Sequence, residues 1–358
     1  MRYGKCRVYH RHNRTCRKAA CCFEYLYEGE NTDELVVNSD GSIDETGVYE
    51  TNKGTVIKHT DLTDSDQTLY VPEIHTTLTD SETLDHIAEA DEKVTLVDTV
   101  AYANLIVGKE YTVSGTLMNK ATGGLLIDAN GDTVTASEIF TAESTSGTID
   151  IVFTFDASLL KGETTVAFET ITYNEVEVAV HADIDDKEQT VYFPNGGTSA
   201  IDKSTGTQEG EVSSKVTIID TVTYENLIVG KEYTVTGVLM DKSTGKEYKD
   251  AGGKPVTATV TFTAEEPDGS VDVEFTFNGS NLAGTSVVVF ETIYYNEVEV
   301  FTHADISDEG QTVTYPPETP SAPRTGDTTP VTAAIVVFAL AVIGVGSILV
   351  LKRRKRNR

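Results

Sequence analysis

Tryptophan is absent from the 358 residues, and cysteine, glutamine, histidine and methionine are scarce. All four cysteines, Cys6, Cys16, Cys21 and Cys22, fall within the first 22 residues. The rest of the chain therefore has no disulfide staples and no thiolate zinc sites. Cys6, His10, His12 and Cys16 lack any recognised zinc-ligand pair spacing, so no metal or cofactor is expected. Positive charge is also sparse in the bulk. Thirteen of the 28 basic residues lie before Glu24 or after Leu351, leaving fifteen against all 57 acids between them. Such an acidic body excludes nucleic acid and anionic membrane faces as partners and suits a soluble, self-repelling surface rod. The opening 1–22 segment is basic and has no apolar export core; it reads as a truncated or misassigned start.

The scarce residues are concentrated. The phrase His-x-Asp-x-x-Asp-x-x-Gln, followed by Thr, occurs at His59–Gln67, His181–Gln189 and His303–Gln311, taking three of seven His and three of four Gln. The last two copies belong to repeats that align at an offset of 122 residues, from Thr76/Thr198 through Gln189/Gln311. A fixed period of this length means tandem modules, each large enough to bury its own core.

Within a module the period is two. Ile149, Ile151, Phe153 and Phe155 alternate with Asp150, Val152 and Thr154. β-rich runs at Val94–Val100, Tyr111–Leu117, Thr164–Ile171 and Val176–Val180 are separated by turn signals at Gly108-Lys109, Gly123-Gly124 and Asn130-Gly131. The fold class is therefore all-β, as tandem immunoglobulin-like sandwiches. Strand parity places Asp98 on the face of Val94, Leu96 and Val100, and Asp220 on that of Val216, Ile218 and Val222. Glu169 ends Val166-Ala167-Phe168 and Glu291 ends Val287-Val288-Val289-Phe290. Carboxylates facing inward cost several kcal/mol unless paired or protonated, so each module should hold a buried polar site; edge strands wet on both faces are the alternative. Thr76 shares a face with Ile74 and Leu78, and Thr198 stands at the same place in the second module.

Each module thus combines a Thr at its start, two inward carboxylates, and His, Asp and Gln at its end. A hydroxyl becomes a nucleophile when a base takes its proton, and His suits that role near neutral pH. A carboxyl kept neutral by burial can polarise an amide. The expected product is a Thr–Gln side-chain ester, formed once per module on the protein itself rather than by turnover of a substrate.

The Asp-Thr-Val-x-Tyr-x-Asn-Leu and Gly-Lys-Glu-Tyr-Thr-Val runs (Asp98–Val113, Asp220–Val235), the Val-Ala-Phe-Glu run (Val166–Glu169) and the His…Gln ending resemble the VaFE-type Thr–Gln ester-bond domains of Gram-positive adhesins. That resemblance implies Thr76 as nucleophile, Gln189 as acceptor, His181 as base, and Asp98, Glu169 and Asp186 as supporting acids. In the second module it implies Thr198, Gln311, His303, Asp220, Glu291 and Asp308. Ahead of these, Cys21-Cys22-Phe23-Glu24 occupies the Val-Ala-Phe-Glu slot, followed by His59, Asp64 and Gln67. Glu24 and His59 are 35 residues apart, against 12 in the full modules, and no Thr strand precedes them. Gln67 is expected to stay an amide, in a poorly folded partial module.

Beyond Tyr315 come a Pro-rich spacer, Arg324-Thr325-Gly326, an uncharged run Val331–Leu351, and a basic tail. Twenty-one helical residues reach about 31 Å, enough to cross a bilayer core, and the basic tail keeps that end cytoplasmic. The order resembles the cell-wall sorting signal of Gram-positive surface proteins, with Ala322 where that family usually has Leu. It implies cleavage by sortase between Thr325 and Gly326 and covalent transfer to peptidoglycan. The expected organisation is an atypical start (1–22), the end of a broken module (23–68), full modules (69–192 and 193–315), a spacer with the sorting motif (316–330), a transmembrane helix (331–351) and a cytoplasmic tail (352–358). The whole reads as a wall-anchored adhesin stalk, any host surface or matrix ligand being bound by sequence upstream. A sortase-polymerised pilus subunit is one alternative, although no pilin lysine motif or acidic pilin box is found. A Thr/His/Asp hydrolase is another, but it leaves the Gln without a role.

Overall fold

Alternation of small or β-branched residues with polar ones dictates strands, and the strands obey it closely. In the computed structural model, residues 69–317 are described throughout, with the backbone of four strands ahead of them. Met1–Pro316 make one compact unit; of the second, Pro317–Arg358, only Pro317 is described. The expected sorting motif, transmembrane helix and cytoplasmic tail therefore lie outside the described residues. Among the described residues no helix is long and apolar enough to cross a membrane.

The leading strands are β1 (Arg7–Val8), β2 (Ala19–Tyr27), β3 (Thr55–His59) and β4 (Thr68–Tyr70). The first full module follows with β5 (Glu73–Asp80), β6 (Val94–Ala103), β7 (Glu110–Asn119), β8 (Thr135–Thr141), β9 (Gly147–Phe155), β10 (Thr164–Tyr173), β11 (Val176–His181) and β12 (Thr190–Tyr192). One sheet runs β5-β6-β9 and the other β11-β10-β7-β8, with β12 also pairing β10. The second module repeats this plan with β13 (Asn195–Asp202), β14 (Val216–Glu225), β15 (Glu232–Asp241), β16 (Lys246–Glu247), β17 (Thr257–Thr263), β18 (Gly269–Phe277), β19 (Ser286–Tyr295), β20 (Val298–His303) and β21 (Thr312–Thr314). Its sheets run β13-β14-β18 and β15-β19-β20, with β16 and β17 on β15 and β21 on β19. Among the described residues the strands pair antiparallel, as in a two-layer sandwich of the kind expected from the sequence, while the isolated bridges Ile87–Tyr192 and Glu209–Thr314 are parallel.

Inward residues of the two sheets meet in one core per module. In the first module Leu78, Leu96, Val100, Ile151 and Phe153 face Val113, Leu117, Ala167 and Ile171, all buried. Each large side chain so enclosed contributes roughly 1.5–3 kcal/mol relative to exposure. The turn glycines act as their spacing suggested: Gly108, Gly123 and Gly131 have φ of 75°, 67° and 88°.

Two features bring the ends of a module together. The Leu78 amide donates to the Glu188 carbonyl at 2.8 Å, tying β5 to the segment before β12. The Ala167 amide donates to the Gln189 carbonyl at 3.1 Å, fixing that residue against β10. The second module repeats both bonds, from Ala200 to Gly310 and from Val289 to Gln311. The first and last functional residues thus reach the same interior from opposite ends of the sequence.

Candidate functional site

Parity on β6 and β10 turns Asp98 and Glu169 into the core, where neither has any exposed surface. Gln189 is fully enclosed and Thr76 nearly so, at 6%. The Thr76 hydroxyl donates to Glu169 Oε2 at 3.0 Å, and Gln189 Nε2 donates to Asp98 Oδ1 at 3.3 Å. One carboxyl pair therefore holds both prospective reaction partners. In the second module Gln311 Nε2 contacts both the Thr198 hydroxyl oxygen and Glu291 Oε2. There Asp220, Glu291 and Gln311 are buried while Thr198 is half-buried.

Burial, reinforced by the adjacent Asp98 charge, pushes the Glu169 carboxyl up to about 9. Burial and Asp220 push Glu291 to about 10. The two aspartates are also raised, chiefly by burial. Two carboxyls in contact cannot both ionise in a dry site, so each pair retains a proton near neutral pH. That proton accounts for an otherwise costly arrangement. Asp98 Oδ2 and Glu169 Oε1 are buried without a partner, as are Glu291 Oε1 and both carboxyl oxygens of Asp220. A Glu hydroxyl donating to its neighbouring Asp satisfies an oxygen on each side. The Gln189 and Gln311 carbonyl oxygens are partnerless too. Among the described residues, every buried side-chain nitrogen or oxygen without a partner belongs to one of these two clusters. Each such group ordinarily costs about 1–3 kcal/mol, so their concentration marks a site built for more than stability.

Outside the dry pair lies a wetter His–Asp pair. His181 sits across from Glu169 in the β10–β11 register, and its Nε2 is 2.9 Å from Asp186 Oδ2. Asp186 is oriented by the Glu188 amide on its other oxygen at 2.9 Å. His303 repeats this opposite Glu291, with Nε2 2.9 Å from Asp308 Oδ2. Both histidines and both aspartates are half-buried. The Thr76 hydroxyl donates to Glu169, while His181, the base that the resemblance implies, is bonded to Asp186. The leading strands reproduce part of this backbone frame: β2 and β3 pair Glu24 with His59 and carry a register shift at Leu26/Tyr27, like those at Ile171/Thr172 and Ile293/Tyr294. Asp64 and Gln67 lie outside the described residues.

The roof of the site was missed in the sequence. Gly115 and Gly237 pair across the sheet with Glu169 and Glu291. A Cβ on Gly115 would lie 2.5 Å from Ile151 Cδ1 and 2.6 Å from Phe153 Cζ; on Gly237 it would meet Phe275 Cζ at 2.4 Å. These glycines let Ile151 and Phe153, and Phe275 in the second module, pack directly against the backbone opposite the glutamate. Their signal was available, since each interrupts a strand at the same place in both modules. No group of His, Cys, Asp or Glu suited to a metal occurs among the described residues.

A family model described as the T-Q ester bond containing domain matches residues 15–71, 72–193 and 194–315. A comparison with curated proteins found no match. Among solved structures, a bacterial adhesin from Mobiluncus mulieris containing intramolecular disulfide, isopeptide and ester bond cross-links is 12% identical, with a TM-score of 0.30 over 62% of this chain and 80% of that one. The C-terminal domain of the AgI/II polypeptide BspA from Streptococcus agalactiae is 10% identical, with a TM-score of 0.31 over 64% of this chain and 98% of that one. With three matched segments spanning most of its length, the chain belongs to the T-Q ester bond domain family.

Proposed function

We propose that each full module condenses its own Thr and Gln side chains into an ester, Thr76 with Gln189 and Thr198 with Gln311. The observation that carries this reading is that each full module gathers hydroxyl, amide and a proton-sharing buried carboxyl pair in one cluster, and that among the described residues these two clusters hold every partnerless buried side-chain nitrogen or oxygen. In the first module the Thr76 hydroxyl is 6% exposed and bonded to the fully buried Glu169, out of reach of an external substrate, which argues against the hydrolase alternative.

The reaction balances within the cluster. The Thr oxygen attacks the Gln side-chain carbonyl carbon, and the amide nitrogen leaves as ammonia. The hydroxyl proton passes to Glu169 Oε2, to which it is already bonded. The proton Glu169 shares moves on to Asp98, and Asp98 Oδ1 passes one to the facing Nε2 as the C–N bond breaks, so that the nitrogen leaves as ammonia. One shared proton therefore serves as acid and base relay, and His181 with Asp186 sits at the rim to exchange protons with solvent. Replacing the amide by an ester removes donors and weakens an acceptor that the site leaves unsatisfied. Exclusion of water then protects the product.

Such a bond closes a loop between residues 113 apart in sequence, as Thr198 and Gln311 are. By chain entropy that is worth somewhat under ~5 kcal/mol. The larger consequence is mechanical, because tension entering at β5 leaves near β12 through a covalent bond rather than the hydrogen-bonded core. The role that fits is a stalk of a cell-surface adhesin, anchored in the wall through sortase transfer of Thr325 to peptidoglycan. Tandem mass spectrometry of a digest tests the ester: peptides containing Thr76 and Gln189 should appear joined, and free forms of both from folded protein would end the proposal. Wall extracts test the anchor, which predicts release by peptidoglycan hydrolase and loss of attachment in Thr325→Ala.

A further inference from the structure

The loop between β5 and β6 of the first module reaches into the second. Ile87 has no exposed surface and packs within the second module's core cluster. Two residues earlier, Asp85 Oδ2 accepts from Lys231 Nζ at 2.6 Å and from Tyr295 OH at 2.5 Å. Asn226, with φ of 66°, closes the joint by donating to the Glu163 and Phe193 carbonyls at 2.7 and 3.1 Å. Asp85 and Ile87 are thus a plug, and Asn226, Lys231 and Tyr295 the polar part of its socket.

Counting back 122 residues finds the same socket on the upstream face of the first module. Asn104 has φ of 62° and donates to the Val71 carbonyl at 3.1 Å, the counterpart of the Asn226–Phe193 bond. Lys109 and Tyr173 stand where Lys231 and Tyr295 stand. The ring pair that frames the socket is the same in both, with Tyr111–Tyr173 centroids 5.3 Å apart at 41° and Tyr233–Tyr295 at 5.4 Å and 42°. The amide of Ile106 donates to Tyr111 OH at 2.9 Å, as that of Ile228 does to Tyr233 OH. Only the cover differs. Ile106 and Val176 are 51% and 63% exposed, whereas Ile228 and Val298 are half-buried and Tyr295 is only 5% exposed. The downstream end of the second module shows the reverse. Its loop keeps the backbone path, since the Thr314 amide donates to the Gln208 carbonyl as Tyr192 does to His86. Yet Thr207 and Glu209 replace Asp85 and Ile87.

We propose that the upstream face of the first module, formed by Asn104, Ile106, Lys109, Tyr173 and Val176, is a docking site for a preceding module of the same family. Its occupant is a loop that presents a carboxylate to Lys109 and Tyr173 and, two residues later, an aliphatic side chain to Ile106 and Val176. Charge complementarity and continuity with the joint already formed by the second module select this occupant. The joint is directional: the first module has both plug and socket, and the second has only the socket.

The test uses the full chain with an extra copy of residues 72–193 inserted before residue 72, its four cysteines replaced by serine, and spin labels at equivalent surface positions of successive modules. Pulsed electron resonance should give the same narrow distance distribution for the added joint as for the native one. Asp85→Ala with Ile87→Ser in the added copy alone should broaden that distribution severalfold. Lys109→Glu, an exposed change, should broaden it as well, and Asp85→Lys in the added copy should restore it. A broad distribution in the unmutated array overturns the proposal. So does a narrow one that none of these substitutions changes, since the linker alone would then set the geometry.

Discussion

The two full modules carry the same site behind different walls. Two residues before Thr76 on the same face stands the buried Ile74, whereas Thr198 has Gly196 at that place and is half-buried. The exchange is compensated elsewhere. Ala179 in the first module becomes Phe301 in the second, whose ring comes within 3.2 Å of a Cβ placed on Gly196. Phe301 is also drawn toward the joint, with Lys161 Nζ 5.7 Å from its ring centroid. Packing volume is conserved while the dryness around the hydroxyl is not. If the proposed ester forms, its chemistry rests on a few inward polar residues that the modules share, and its protection from water on the apolar residues in which they differ.

The largest expected effect tests what the modules share. Glu169→Gln keeps the shape and removes the transferable proton, so the first module should fold without its ester while the second still forms one; Glu291→Gln should do the converse. Intact mass after purification reads this directly. A module that still loses ammonia without its glutamate would transfer the relay to His181 or His303.

Closing the roof comes next. Gly115→Ala forces a Cβ to within 2.5 Å of Ile151 and should cost about 1–3 kcal/mol of stability. Gly237→Ala should cost a similar amount, seen as a lower midpoint in denaturant. Equal stability in either variant would show that the rings are free to move aside.

A subtler change sharpens the difference between the walls. Ile74→Gly gives the first module the open flank of the second, and its ester should then hydrolyse in mild alkali at a rate approaching that of the Thr198 ester. In the unmutated chain the Thr198 ester should be lost first, followed as regain of water mass over time. Identical rates for both esters would mean that Thr exposure does not control access.

The smallest effect lies at the joint. Burial, with the nearby Glu299 and Asp91 charges, raises Glu89 to about 7 from an ordinary 4.5. The folded state then binds more protons than the unfolded one between those values, so stability falls as pH rises through that window and levels off above it. Lys161 opposes the shift only partly. Thermal melts from pH 4.5 to 7.5 should show a decline that Glu89→Gln makes shallower without removing it, since Glu169 and Glu291 are raised further and keep contributing.

Much of this was legible in the sequence because strand parity is strict. Asp98 and Asp220 could be turned inward from their apolar neighbours, and the glutamates from the runs they end. The offset of 122 residues also favours Thr76 over its neighbour Thr77, since the second module has Thr198 opposite the first and Ser199 opposite the second. What could not be read depends on contacts between distant residues. Asp85 meets Lys231 and Tyr295 across 146 and 210 residues, and nothing local to any of them announces it. Gly115 and Gly237 carry no such local mark, because a strand glycine reads as a weakness until the ring packed against it is seen. The compensation between Gly196 and Phe301 likewise needs the register of two strands.

The central claim is best tested on the intact protein covering residues 69–317, weighed under denaturing conditions. Condensation in both modules predicts a mass two ammonia molecules below the sequence value, one below in Gln189→Ala or Gln311→Ala relative to each variant's own sequence, and none in the double variant. A natively folded sample at the full sequence mass would contradict the account.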